Sequence, residues 1–234
     1  VAPCTGVISN RYYEIGEDIS VGNTLALIVT PKEYQKQKED GTNQPTPIDY
    51  SGYSPNELSG LRRTIALRMM HSLRSMAQIT LTTEIDLTNL ESLQRDLNSK
   101  YKNSRIRSLH LIVKAAAKAL EEHPALNGTL NNNQIKLSND INLGVAVSID
   151  RGLIVPVIRK ANFKSVVTIA EELLELSRKA RDGNLNYDEV AGGTFTVSSL
   201  AAYDIDAFTP IINPPEIAIL GVGRTTKKPT VVDD

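Results

Sequence analysis

The chain has 234 residues, with 26 Lys+Arg against 27 Asp+Glu and a formal net charge of −1. A balance this close to zero, with no long basic tract, excludes a sequence-independent nucleic-acid binder, which needs a cationic surplus to displace counterions from phosphates. A hydrophobic content of 41% supplies a full core, no apolar run approaches the ~18 residues of a membrane span, and on a prior of about 100 to 200 residues per domain the chain is one large domain plus something small.

The first thirty residues alternate short apolar runs with Gly6, Gly16, Gly22 and Asn23, the pattern of strands joined by tight turns that glycine makes affordable at positive φ. About thirty residues cannot stabilise themselves alone, so this β module reads as half of something. Cys4, the only cysteine, sits inside it; a lone cysteine excludes an intramolecular disulfide framework and a clustered-cysteine zinc site, and fits a reducing compartment. Residues 31–55 turn polar, with Pro45 and Pro47 stiffening a stretch that has almost no apolar periodicity, and this predicts a linker. A start at Val1 and a stop at Asp234, just after the strand-like residues 229–232, read as cut ends.

The remainder predicts one α/β domain. Leu61, Ile65, Met69 and Leu73 share one face of a helix. Ile79, Leu81, Thr83 and Ile85 alternate with polar residues as in a strand with one face buried. Thr88 and Glu91 have the spacing of a capping box that opens a helix to about Asn98. Residues 109–120 are Ala-rich and helical, and stop before His123-Pro124 because the residue ahead of proline avoids the α region. Residues 143–149 and 153–158 read as a hairpin turning at Asp150-Arg151-Gly152. A helix over 165–181 has Ile169, Leu173, Leu176 and Ala180 inward and Gly183 as its C-terminal stop. Strands at 194–197 and 217–222 follow, the second closed by Gly223.

Spacing alone yields little chemistry. His71 reads as a solvated residue of a basic helix, and His110 and His123 as packed or capping histidines. Gly221-Val222-Gly223 lacks the third glycine of a dinucleotide fingerprint. Two longer stretches are more specific: residues 192–200, Gly-Gly-Thr-Phe-Thr-Val-Ser-Ser-Leu, and residues 208–224, Phe-Thr-Pro-Ile-Ile-Asn-Pro-Pro-Glu-Ile-Ala-Ile-Leu-Gly-Val-Gly-Arg. With residues 58–69 and 150–157 upstream, in the same order, the span from Leu58 to Arg224 resembles the catalytic domain of the dihydrolipoamide acyltransferases, the core subunits of 2-oxoacid dehydrogenase complexes. Residues 1–8, with Gly16-Glu17-Asp18 and Val21-Gly22, look like the second half of a lipoyl domain.

The resemblance implies an α+β two-layer sandwich of the chloramphenicol-acetyltransferase kind over residues 58–234, C-terminally incomplete, preceded by a partial all-β lipoyl-like module at 1–30 and a flexible linker at 31–57. It implies trimers with active sites between subunits, possibly built into a larger cage, and partner dehydrogenase and dihydrolipoamide dehydrogenase components; it implies neither a nucleic-acid nor a membrane partner, no metal, and a cytoplasmic or mitochondrial-matrix location. Acyl transfer, acetyl first, runs between a lipoyl arm and coenzyme A. The serine matched by Ser198 donates a hydrogen bond to the tetrahedral oxyanion, and the coenzyme A site lies near the positions of Asp150, Ser199 and Gly223. The lipoylated lysine falls upstream of Val1 in the family, so Lys32, Lys36 and Lys38 are not that residue. The family's histidine base belongs to an Asp-His-Arg-x-x-x-Asp-Gly motif that does not occur among these 234 residues, and residues 31–55 are too short and polar for the subunit-binding domain many members carry. Gln94 and Arg107 are substitutions at two positions where relatives often place side chains that contact coenzyme A, a departure from the family pattern. A catalytically inactive scaffold of the same complex core is the alternative reading.

Overall fold

The computed structural model describes residues 7–11, 26–32, 34–35, 60–102, 104–131, 133–150 and 152–229. The chain divides into two units, Val1–Asn56 and Glu57–Asp234. In the first, β1 (Val7–Arg11) and β2 (Ala26–Val29) pair antiparallel, with Val7 opposite Val29 and a shift of register between Ile8 and Asn10. Cys4, the turns at Gly16 and Gly22, and most of the expected linker lie outside the described residues. Residues 31–32 and 34–35 are helical, with Tyr34 N donating to Thr30 O at 2.9 Å; Pro31, whose fixed φ suits a first helical turn, opens structure where composition predicts none.

In the second unit the chain runs through α1 (Gly60–Ser75), α2 (Thr88–Lys100), α3 (Ser108–Glu122), β3 (Gly128–Asn131), β4 (Gln134–Leu137), β5 (Leu143–Val145), β6 (Val147–Ile149), β7 (Gly152–Ile154), β8 (Val157–Ile158), α4 (Val166–Asp182), β9 (Phe195–Ser199) and β10 (Ile219–Val222). Its main sheet has the order β10-β9-β5-β8, parallel between β10, β9 and β5 and antiparallel between β5 and β8. Strand side chains alternate between faces. Leu143 and Val145 of β5, Phe195 and Val197 of β9, and Leu220 and Val222 of β10 all point one way, into a core with Val113, Ala117 and Leu120 of α3 and Ile169, Leu173 and Leu176 of α4. Two helices therefore cover one face of the sheet, the two-layer arrangement that the resemblance implies.

The helices form for local reasons. Ser165 caps α4, its hydroxyl accepting from Thr168 N at 3.0 Å, and Gly183 ends the helix at φ 71°, a left-handed geometry that favours glycine. The capping box at Thr88 is not formed: Asp86 Oδ1 instead accepts from both Thr88 N, at 2.8 Å, and Thr88 Oγ1, at 2.6 Å. An ionised carboxylate two residues upstream is the stronger acceptor. The bonds hold the Asp86 carboxyl below its ordinary pKa. α2 is tied to α3 by Gln94, which donates to Ile106 O at 3.1 Å and accepts from Ser108 Oγ at 2.9 Å.

One strand expectation is corrected and one is refined. The 143–158 hairpin forms in a single antiparallel register, from Leu143 opposite Ile158 to Ile149 opposite Gly152, but its ladder is interrupted midway: Val145 N donates to Pro156 O at 2.9 Å, Pro156 has no N–H to return, and Ala146 N turns to Val197 O of β9 at 2.9 Å. β6 and β7 still pair antiparallel around the predicted turn, with Ile149 opposite Gly152. Residues 77–87 are not a strand at all; Ile79, Leu81 and Ile85 are 84%, 87% and 69% exposed. Alternation encodes a half-buried strand but does not say whether the surface that buries it lies within the same chain.

Candidate active site

The face of the sheet turned away from α3 and α4 is defined by the other half of the strand alternation. On β9 it carries Thr196 and Ser198. Thr196 is aligned with Gly144 of β5 and Ile219 of β10, and Ser198 with Gly221 of β10. Ser198 is half-buried, and its hydroxyl makes no hydrogen bond to another described group. A Cβ on Gly221 would lie 3.1 Å from Pro210 Cγ and 3.2 Å from the Phe208 ring. Glycine there lets a proline and an aromatic ring sit against Gly221, the residue paired with Ser198 on the neighbouring strand.

Ser199, one residue along, belongs to the opposite face with Val222, and its Oγ accepts from Ala201 N at 3.4 Å. Gly223 follows Val222, so the structure brings Ser199 and Gly223 close in sequence register but sets Ser199 on the other side of the sheet from Ser198. Gly223 has a packing reason for its identity: a Cβ would fall 2.0 Å from Asp206 O. That contact is closed by Arg224, which donates from its backbone to Ile205 O at 2.8 Å and from its guanidinium to Asp204 and Asp206. Asp150 is exposed at the turn of the separate β6–β7 ladder.

The histidines are accounted for. His110 is buried, and its Nδ1 accepts from Arg107 N at 3.1 Å at the start of α3. Burial, and then the Arg107 charge, push its pKa below the usual histidine value, so it is a neutral capping residue. His71 is exposed on α1 and His123 is exposed at the end of α3. None of the three lies on β5, β9 or β10. Among the described residues no cluster of metal-ligating side chains exists, and no helix is long and apolar enough to cross a membrane.

Sequence reasoning missed Glu216. It is 2% exposed, with Oε2 accepting from Thr196 Oγ1 at 2.6 Å and Oε1 from Asn213 Nδ2 at 3.2 Å. Burial raises its pKa to about 7 against the opposing pull of those two hydrogen bonds and the charge of Arg68. Glu216 also lies on the floor of a cavity of about 550 Å³ walled by Val155, Val157, Asn213 and Pro214, with Arg68 and Lys136 at its rim. The available signal was one acidic residue in an otherwise apolar stretch, Pro214-Pro215-Glu216-Ile217-Ala218-Ile219.

Known proteins are similar to this chain in sequence and fold. A dihydrolipoyllysine-residue acetyltransferase component of an acetoin cleaving system, from Bacillus subtilis (strain 168), is 36% identical over 201 residues, covering 85% of this chain and 50% of its own length. The dihydrolipoamide acetyltransferase of Azotobacter vinelandii, studied for a serine, a histidine and an asparagine in its catalytic mechanism, superposes with a TM-score of 0.72 at 33% identity over 80% of each chain. The cubic core of a pyruvate dehydrogenase multienzyme complex gives the same TM-score, identity and coverage. The chain spans about half the length of the curated relatives it matches. Residues 51–234 match the catalytic-domain model of the 2-oxoacid dehydrogenase acyltransferases, and the chain belongs to that family.

Proposed function

We propose that the chain transfers an acyl group, acetyl first, between a lipoyl arm and coenzyme A, with Ser198 as the donor to the oxyanion. A coenzyme A thiolate adds to the thioester carbonyl carbon, the carbon–sulfur bond to the lipoyl group then breaks, and the departing thiolate takes up a proton. Negative charge gathers on the carbonyl oxygen between the two steps, and a preorganised hydroxyl aimed there is worth most at that moment. The carrying observation is the free hydroxyl of Ser198, held on a strand between β5 and β10 opposite Gly221, against which Phe208 and Pro210 pack. Asp150, Ser199 and Gly223 are the candidate coenzyme A contacts; of these, Gly223 acts through its backbone, since a side chain is excluded there.

The relatives are components of acetoin-cleaving and pyruvate dehydrogenase systems, which supports self-association into trimers, docking of dehydrogenase partners and a cytoplasmic location for this chain. In the full-length protein, Ser198→Ala should lower kcat for acetyl transfer from acetyl-CoA to dihydrolipoamide by about 10² to 10³, the effect of removing one oxyanion donor. Unchanged turnover would overturn the assignment.

A further inference from the structure

A buried carboxyl is costly unless its oxygens are hydrogen-bonded, and five parts of this fold converge on Glu216. Thr196 of β9 donates to one oxygen and Asn213 to the other. Arg68 of α1 locks Asn213 in turn, its guanidinium donating to Asn213 Oδ1 at 3.4 Å and to Pro214 O at 2.9 Å. β3 joins through a bridge from Thr129 to Glu216 and a bond from Leu130 N to Pro215 O at 2.7 Å. Two glycines leave the room: a Cβ on Gly193 would stand 2.8 Å from Glu216 Oε1, and one on Gly144 would stand 3.0 Å from Thr196 Oγ1. What all of this immobilises is the Thr196 side chain, and Thr196 and Ser198 share one face of β9, two residues or roughly 6–7 Å apart.

We propose that Glu216 is a positioning residue for Ser198: by anchoring the Thr196 hydroxyl to the turn that leads into β10, it holds the β9–β10 register in which Ser198 stands opposite Gly221. The inference rests on Ser198 being the oxyanion donor. A donor displaced by about 0.5 Å loses productive geometry, and because the lost interaction belongs to the transition state, kcat falls while KM stays.

The test is a double-mutant cycle on acetyl transfer in the full-length protein, with thermal unfolding confirming that each variant is folded. Glu216→Leu should lower kcat about tenfold with KM within twofold, and Glu216→Gln, which keeps an acceptor for Thr196, should restore most of the rate. In a Ser198→Ala background Glu216→Leu should cost nothing further, because its effect passes through the serine. Thr196→Val removes the same link with little change in volume, and replaces Glu216→Leu in the cycle if that variant does not fold. Equal losses in both backgrounds, or no loss from either variant in the presence of Ser198, overturn the inference while leaving Ser198 in place. Full activity of Ser198→Ala alone overturns the functional reading and this inference with it.

Discussion

Glu216 gives the protein a pH dependence opposite to that of carboxylates such as Asp206 and Glu189. Its pKa is raised from 4.5 to about 7 by burial, so between those values the folded chain binds more protons than the unfolded one. Stability then falls as pH rises through that window, by at most about 3 to 4 kcal/mol at 1.36 kcal/mol per pH unit. Asp206, which is exposed, and Glu189, which is partly buried, are held below their ordinary pKa by hydrogen bonds from Arg224 and Lys179, and they contribute in the other direction, at lower pH. Glu216→Gln removes the buried titration and leaves theirs unchanged. The unfolding free energy of the natural protein, minus that of Glu216→Gln, should therefore decline from pH 4.5 to 7 and level off above; a flat difference in denaturant titrations would show that the carboxyl is not protonated in the fold. None of this was legible from the sequence, because only Asn213 among the groups that act on Glu216 is a near neighbour in the chain: Thr196 lies twenty residues back and Arg68 on the first helix of the domain. Ser198 was legible only through a motif, since nothing in its immediate spacing marks a serine that faces away from the helices.

At the scale of elements, sequence and structure agree where the determinants are local. α4 has its apolar stripe, its N-cap and its C-terminal glycine within one stretch of chain; the stripe and the glycine are found as read, and the structure adds Ser165 as the cap. Where an element depends on a distant partner the reading breaks down: the β3–β4 hairpin gave no signal, all four residues of β4 being exposed, and residues 77–87 carried a strand signal without a strand. The caps of α4 give a quantitative check. Ser165→Ala should destabilise by about 1 kcal/mol through the loss of the bond to Thr168 N, and Gly183→Ala by about 1 kcal/mol through the strain of a left-handed φ. Some 17 residues of helix span about 25 Å, well beyond the distance at which substitutions couple. The double variant should therefore lose about 2 kcal/mol by chemical denaturation, and a smaller loss would mean that one end of the helix is already frayed.

At the scale of the molecule, the apolar surface of the second unit is unevenly spread. Ile79, Leu81 and Ile85 stand 69 to 87% exposed on one extended segment, and Leu67 and Leu73 of the neighbouring α1 are 58% and 56% exposed. The same segment is fixed in place rather than loose at its base: Gln78 donates to Ser72 Oγ at 2.8 Å and accepts from Ile212 N at 3.2 Å. An anchored strand-like run with unpaired backbone and outward apolar side chains is a template for association, and in a family whose solved members include a cubic core it is the surface on which we expect copies of the chain to meet. Ile79→Lys combined with Leu81→Glu keeps the net charge and touches no buried group. Sedimentation equilibrium should then show the natural chain as an oligomer and the double variant at or near monomer mass, with helical circular dichroism and melting temperature of the monomer unit retained. An oligomer of unchanged mass would place the contact elsewhere on the unit and leave these side chains as surface that nothing covers.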